Sequence, residues 1–365
     1  MPEAWKDVFF QHAFFDDLVA ALKEVDPGFD SAAFLARIYD DQWEARALKD
    51  KMRQVTLALH ETLPHDYRDA LALLRQVVPA VDRHGFGKMV FPDFVEVYGL
   101  DDWEVSLPAL EQFTQQMSAE FAVRPFIAKD QARMMAQMAQ WARHTNPAVR
   151  RLASEGCRPR LPWAMALPAL KADPSPILPI LEALKDDPSE DVRRSVANNL
   201  NDISKDNPDV VIDVLRRWQA LDTPEIQKIV NHALRTLVKA GHPAALELLG
   251  FRADPDVVVR NLAIEPDTIA IGGNITFSFE IESTAKTPQA LVIDYVVHLV
   301  RAKGQTTPKV FKLTKKTLAP GETVRITKKH SFQPVTTRRY YPGEHAVEVQ
   351  INGEKIERRS FVLTE

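Results

Sequence analysis

Two stretches in mid-chain share one pattern, and that pattern fixes the kind of fold open to this region. The first runs NPAVRRLASEGCRPRLPW from Asn146 to Trp163, the second DPSEDVRRSVANNLNDISKDNP from Asp187 to Pro208. Each opens on a proline, then Val-Arg-Arg, then a short amphipathic run. Val149 and Val192 lie about 43 residues apart, inside the ~40–47 residue period of two-helix solenoid repeats. A third, weaker copy runs from Asp222 to Pro243. Such a unit cannot bury its apolar face alone, so it stacks on its neighbours into a curved array with a concave surface. Stacking asks only for small and apolar residues on the shared faces. The arginines, the tryptophan and the carboxylates are surplus to it, and function is expected there.

The chain up to about residue 250 reads as helix almost throughout, of the HEAT type where the repeat shows. Leu18 and Leu22, Phe34 and Ile38, Met52, Val55 and Leu59, Leu71 and Leu74, and Leu110, Phe113, Met117 and Phe121 recur at helical spacing. Pro64, Pro79, Pro92 and Pro108 punctuate them and favour helix starts and loops. The period changes near Asp254, and short alternating or β-branched runs follow, from NITFSFEI to KIERRSFVL. They are separated by Gly272-Gly273, Pro320-Gly321, Pro342-Gly343 and Asn352-Gly353. Seven or so such runs indicate an antiparallel sandwich. The expected fold is therefore mainly α, a HEAT-like solenoid over 1–253 followed by an all-β, immunoglobulin-like sandwich over 257–365.

Composition narrows the function. There is no apolar run long enough to span a membrane, and MPEAWKDVFF lacks the basic-then-apolar order of a secretory signal. The one cysteine, Cys157, fits a reducing, cytoplasmic compartment. Net charge is −4 but unevenly spread: residues 258–365 hold 16 Lys/Arg against 11 Asp/Glu, leaving 30 against 39 elsewhere. Within the acidic part, Arg143, Arg150, Arg151, Arg158 and Arg160 crowd around Glu155 alone. Such clusters matter more than net charge to a polyanion, because salt limits each charge's reach to about 8–10 Å. His60 and His65 find no further ligand, and phosphate-loop, dinucleotide and nucleophile-elbow motifs are absent. Neither a metal nor a cofactor is expected.

At ASEGCRPRLPW, SVANNLNDISKDNP and the earlier SAEFAVRPFI (Ser118 to Ile127), the chain resembles the AlkC branch of the AlkC/AlkD DNA alkylation-repair glycosylases. The resemblance covers roughly residues 1–250. It implies a HEAT-like fold, excision of N-alkylated bases from double-stranded DNA, and an immunoglobulin-like module at the C-terminus. It also implies a monofunctional enzyme acting on 3-methyladenine-type bases, with 3-methylcytosine and 7-methylguanine as further candidates, and a bacterial protein acting at the nucleoid. The chain is expected to be a monomer without membrane attachment. A non-catalytic scaffold that binds DNA or protein is the other reading.

The chemistry suits these residue types. A base alkylated at N3 or N7 carries positive charge and leaves readily, and the sugar passes through an oxocarbenium-like state. A carboxylate stabilises that cation and positions water, and an indole face attracts it. Glu120, Trp163 and Asp202 come from the three motifs and are the expected catalytic trio. By themselves Trp163 reads equally as a core aromatic, Asp202 as a helix end in line with Arg194 and Asn198, and Glu120 as an ion-pair partner. Superposing the repeats sets Arg151 opposite Arg194 and Arg158 opposite Asn201. From that, Arg151, Arg158, Arg160, Arg194, Asn198 and Lys205 are expected along a phosphate track. In the sandwich, VTTRRYYPG places Arg338, Arg339 and Tyr340 in a loop expected to touch DNA, so that the module acts as a clamp. Lys315-Lys316 and Lys328-Lys329 fit that role or simple protection of edge strands.

Overall fold

The structure, a computed structural model, describes residues 10–335 and 338–365 of the 365-residue chain. Most of the MPEAWKDVFF stretch, and Thr336 and Thr337 of the VTTRRYYPG loop, lie outside them. The described helices are α1 (His12–Val25), α2 (Ser31–Ile38), α3 (Leu48–Thr62), α4 (Tyr67–Val77), α5 (Val90–Tyr98), α6 (Trp103–Thr114), α7 (Val123–Lys129), α8 (Gln131–Trp141) and α9 (Pro147–Glu155). Then come α10 (Pro168–Ala172), α11 (Leu178–Leu184), α12 (Glu190–Ile203), α13 (Pro208–Gln219), α14 (Pro224–Ala233), α15 (Arg235–Lys239) and α16 (Pro243–Leu248). None is long and apolar enough to cross a membrane.

The chain divides into two compact units. One holds everything up to Asn207 together with Asp222–His232; the other holds Pro208–Leu221 and Ala233–Glu365. The third repeat is thus shared out, its first helix going mostly to one unit and its second to the other.

In the first unit the apolar stripes read from the sequence form the core: Leu18, Leu22, Phe34, Ile38, Val55, Leu59, Leu71, Leu74, Leu110 and Phe113 are all buried. Pro108 departs from expectation by sitting inside α6. Its side chain is exposed, so the carbonyl of Glu104, which loses its helical donor, can turn to water.

The Val-Arg-Arg signature has a structural cause. Asn146 caps α9 by accepting from the Ala148 amide at 2.8 Å, with Pro147 in the first turn, where its missing N–H costs nothing. The first arginine of each pair reaches back over the loop before its helix. Arg150 donates to the carbonyls of His144 (3.0 Å) and Thr145 (2.7 Å), and Arg193 donates to the equivalent carbonyls of Asp187 (2.5 Å) and Pro188 (3.1 Å). Arg150 also grips the Asp187 carboxylate of the next repeat with two nitrogens, at 2.6 and 3.0 Å. α9 stacks directly on α12, burying Val149 and Leu152 with Val192, Val196 and Leu200. A polar seam ties the same two helices: Ser195 Oγ lies 3.0 Å from Ser154 Oγ, and Asn199 donates to the Ser154 carbonyl at 2.8 Å.

The second unit contains a sandwich in which the described residues form eight strands. β1 (Val257–Glu265), β3 (Asn274–Ser283) and β6 (Thr323–Ser331) form one sheet in the order β1-β3-β6. β2 (Thr268–Ala270), β4 (Gln289–Val300), β5 (Thr306–Leu318), β7 (Gly343–Ile351) and β8 (Glu354–Thr364) form the other, in the order β2-β8-β7-β4-β5. Pairing is antiparallel except between β2 and β8. Phe277, Phe279, Tyr295, Phe332 and Phe361 fill the space between the sheets. The β7–β8 hairpin turns on Asn352 (φ +48°) and Gly353 (φ +84°), the two left-handed residues its tight turn requires. β5 and β6 are edge strands and carry the paired lysines.

Candidate active site

Three segments of the first unit meet around one cavity of about 320 Å³. The loop between α6 and α7 contributes Met117, Ser118, Glu120 and Phe121. The end of α9 and the loop after it contribute Glu155, Arg158, Leu161, Pro162 and Trp163. The irregular segment before α5 contributes Phe86 and Met89. Two carboxylates therefore face the cavity, and the sequence reading named only one of them.

Glu120 accepts from Ser118 Oγ at 2.8 Å and from Arg151 at 2.9 Å, with 17% of its side chain exposed. Glu155, missed from the sequence, closes α9 and is 4% exposed. It accepts from Arg158 at 2.6 Å and from Ser195 Oγ at 2.5 Å. Its signal was present: it is the lone acid in a run of five arginines. Asp202, in the last turn of α12, is not part of the cavity lining and is 2% exposed. It is joined to the cavity through Arg158, whose Nε donates to it at 2.8 Å, and it also accepts from Lys205 at 3.0 Å.

Arg158 thus bridges Glu155 and Asp202. Burial alone would push its guanidinium down, but the two carboxylates more than offset this and hold it above the usual arginine value. This corrects its expected place on a phosphate track. α9 has already ended at Glu155, so Arg158 lies in a loop folded inward, 7% exposed, with its charge spent on two buried acids. Asn201, expected opposite it on the same exposed face, is also buried. Cys157 is buried as well, and burial pushes its thiol up to about 12, so it is no thiolate nucleophile at neutral pH.

Trp163 is the opposite case. The residue is 63% exposed, while Trp43, Trp103, Trp141 and Trp218 are all buried. It is not a core aromatic. Its backbone is left-handed, φ +63°, a conformation that costs a bulky residue about 1–3 kcal/mol. The surroundings enforce it: Lys49 donates to the Trp163 carbonyl at 2.9 Å, and the Leu167 amide closes the loop on the Pro159 carbonyl at 3.2 Å.

The remaining cations of the expected track reach solvent, each already paired. Arg151 lies against Glu120, Arg160 holds Asp206 at 2.8 and 2.6 Å, Arg194 meets Asp191, and Lys205 meets Asp202. Asn198 accepts from His232 at 2.8 Å. In the second unit, Arg339 is exposed beside the ring of Tyr341, and Arg338 stacks on Phe311 and Tyr340. Tyr340 itself is corrected: its ring is 8% exposed and packs on Phe332, with only its hydroxyl accepting from Arg338 at 3.2 Å. The alternation of the loop turns one tyrosine in and the next out. From Arg301 to Tyr341 the sequence holds 11 Lys/Arg against Glu322 alone, so the positive charge of the sandwich is concentrated there. Among the described residues no group of acids, histidines or cysteine is arranged to hold a metal.

Comparison with known proteins adds an independent line. Residues 49–235 match the family described as DNA alkylation repair enzyme, and residues 258–365 match the C-terminal Ig-like domain of the uncharacterised protein YhaZ. The YhaZ protein of Bacillus subtilis (strain 168) is 45% identical over 337 residues, 92% of this chain and 93% of that one. The structure of the Pseudomonas fluorescens alkylpurine DNA glycosylase AlkC, bound to DNA containing an abasic site analogue, superposes with a TM-score of 0.94. That protein is 39% identical, and the match covers 100% of both chains.

Proposed function

We propose that this chain, which belongs to the DNA alkylation repair enzyme family, is a DNA glycosylase that removes cationic N-alkylated bases from duplex DNA. One observation carries the reading: an exposed tryptophan, held in a strained backbone conformation, shares a cavity with two carboxylates. Packing explains neither the exposure nor the strain. A cationic lesion nucleotide explains both, because an indole face and carboxylates are what attract it.

In this mechanism the lesion nucleotide meets Trp163 and Glu120. The C1′–N bond breaks with its electron pair going to the base, whose positive charge is thereby neutralised, so no acid is needed to protonate it. The sugar cation that forms is stabilised by Glu120 and Glu155, with Asp202 adding charge from behind Arg158. A water oxygen bonds to C1′, and its proton passes to one of the carboxylates. The abasic strand remains intact, which makes the enzyme monofunctional. Arg151, Arg160, Arg194 and Lys205 exchange their present carboxylate partners for DNA phosphates, and Arg338 and Arg339 hold the backbone from the sandwich. We read the protein as a monomer of the bacterial cytoplasm, acting at the nucleoid without metal or cofactor.

The test is incubation of methylated duplex DNA with the pure protein and chromatography of what is released. Free methylated base together with alkali-labile sites in the DNA supports the glycosylase. Tight binding with no base released would instead make the chain a non-catalytic scaffold.

A further inference from the structure

Arg124 is the arginine of the SAEFAVRPFI motif. Arg124 is 0% exposed and lies on α7, beneath the loop that ends in Trp163. Its Nε donates to the Met165 carbonyl at 2.7 Å, and one terminal nitrogen donates to the carbonyls of Gly156 and Arg158, at 2.9 and 2.8 Å. These acceptors bracket the loop, two just after Glu155 and one just after Trp163. The other terminal nitrogen is buried without a hydrogen-bond partner, and burial pulls the guanidinium down to about 10. An arginine kept at that expense, with no carboxylate bonded to it, is not explained by ion pairing.

We propose that Arg124 is a positioning residue for the lesion site: it staples both ends of the 156–165 loop and so fixes Trp163 in its left-handed, outward pose. The planar fork is the reason for an arginine. Two separate nitrogens of one rigid plane serve the two ends of the loop, Nε the Met165 carbonyl and a terminal nitrogen those of Gly156 and Arg158, whereas an ammonium concentrates its donors at a single point. Without the staple, the strain at Trp163 is relieved by the loop relaxing, and the indole leaves the cavity mouth. Displacement of a contact group by about 1 Å costs on the order of 100-fold in rate.

R124K and R124Q test this, with fluorescence anisotropy of Trp163 and single-turnover excision as separate readouts. Buried indoles such as Trp43, Trp103, Trp141 and Trp218 also emit, so the Trp163 signal is taken as the difference between each protein and its Trp163→Phe counterpart. R124K is expected to melt cooperatively, to show faster local depolarisation of Trp163, and to excise ~10–100-fold more slowly. In a W163A background R124K is expected to add less than about 3-fold, since the group it positions is gone. Equal losses in both backgrounds, unchanged depolarisation, or failure of both variants to fold would overturn the proposal. The excision readout rests on the role given to Trp163 above, and the anisotropy does not. Normal excision by W163A with a mobile Trp163 in R124K would therefore reject the catalytic reading and leave the staple standing.

Discussion

Replacing Trp163 by alanine separates a lesion contact from a core residue, and the structure sets the size of both effects. A tryptophan buries about 150–250 Å² when enclosed. With 63% of the residue exposed, only about 60–90 Å² is covered, worth roughly 1.5–2 kcal/mol at about 25 cal/mol per Å². A core tryptophan would cost about 3–5 kcal/mol. Alanine keeps the left-handed strain, whereas glycine releases about 1–2 kcal/mol of it, so Trp163→Gly is expected to melt at or above Trp163→Ala. At about 2–4 °C per kcal/mol for a domain of this size, Trp163→Ala should lose less than about 8 °C. Excision should fall much further. A desolvated cation–π contact of about 2 kcal/mol in the transition state corresponds to ~30-fold. Melting followed by circular dichroism and single-turnover base release on methylated duplex give the two numbers. A drop of 15 °C or more with a proportionate activity loss, or an unchanged rate, would refute the assignment.

Glu120→Gln, Glu155→Gln and Asp202→Asn should each slow single-turnover excision ~10–1000-fold, the scale of losing one electrostatic stabiliser, while the helical spectrum persists; near-normal rates in all three would remove the carboxylates from the chemistry. Arg158→Met leaves Glu155 and Asp202 buried without their shared counter-charge and should destabilise the first unit by about 3–5 kcal/mol, read as a lowered urea midpoint. Removing charge at Arg160 and Arg194, or at Arg338 and Arg339, should weaken DNA binding evenly across sequences and flatten its salt dependence by about one unit per lost phosphate contact; an unchanged slope would place those arginines off the DNA. In the sandwich, burial holds His330 down at about 4, with Tyr295 on its Nδ1 at 2.9 Å. The unfolded chain therefore takes up a proton that the folded one refuses, and stability present above about pH 6.5 is lost as pH falls toward 4, by about 3 kcal/mol in all. His330→Phe should remove most of that acid sensitivity, and a variant as acid-sensitive as the parent would show that other groups cause it.

What the sequence determined by itself was whatever depends on local spacing. Helical stripes such as Leu71 and Leu74, the twice-repeated Val-Arg-Arg and the Asn352-Gly353 turn follow from periods of a few residues, so the solenoid, the sandwich and the change between them were legible. The motif strings also singled out Glu120 and Trp163, which line one cavity, though by resemblance and without a geometric reason. The tertiary structure decided what each charged or aromatic side chain does, because that depends on partners about 30–45 residues away in the stack. Arg158 reads as a surface cation until the stacking of α9 on α12 brings Asp202 beside it. Glu155 reads as one more surface acid until the same stacking lays Ser195 and Arg158 on it. Tyr340 and Tyr341 are indistinguishable in a string, and only the pleat of the loop over Phe332 sends the first inward. Periodicity tells which face a residue occupies, whereas the loss of water around a charge, which sets its partner and its role, exists only once the repeats have closed on each other.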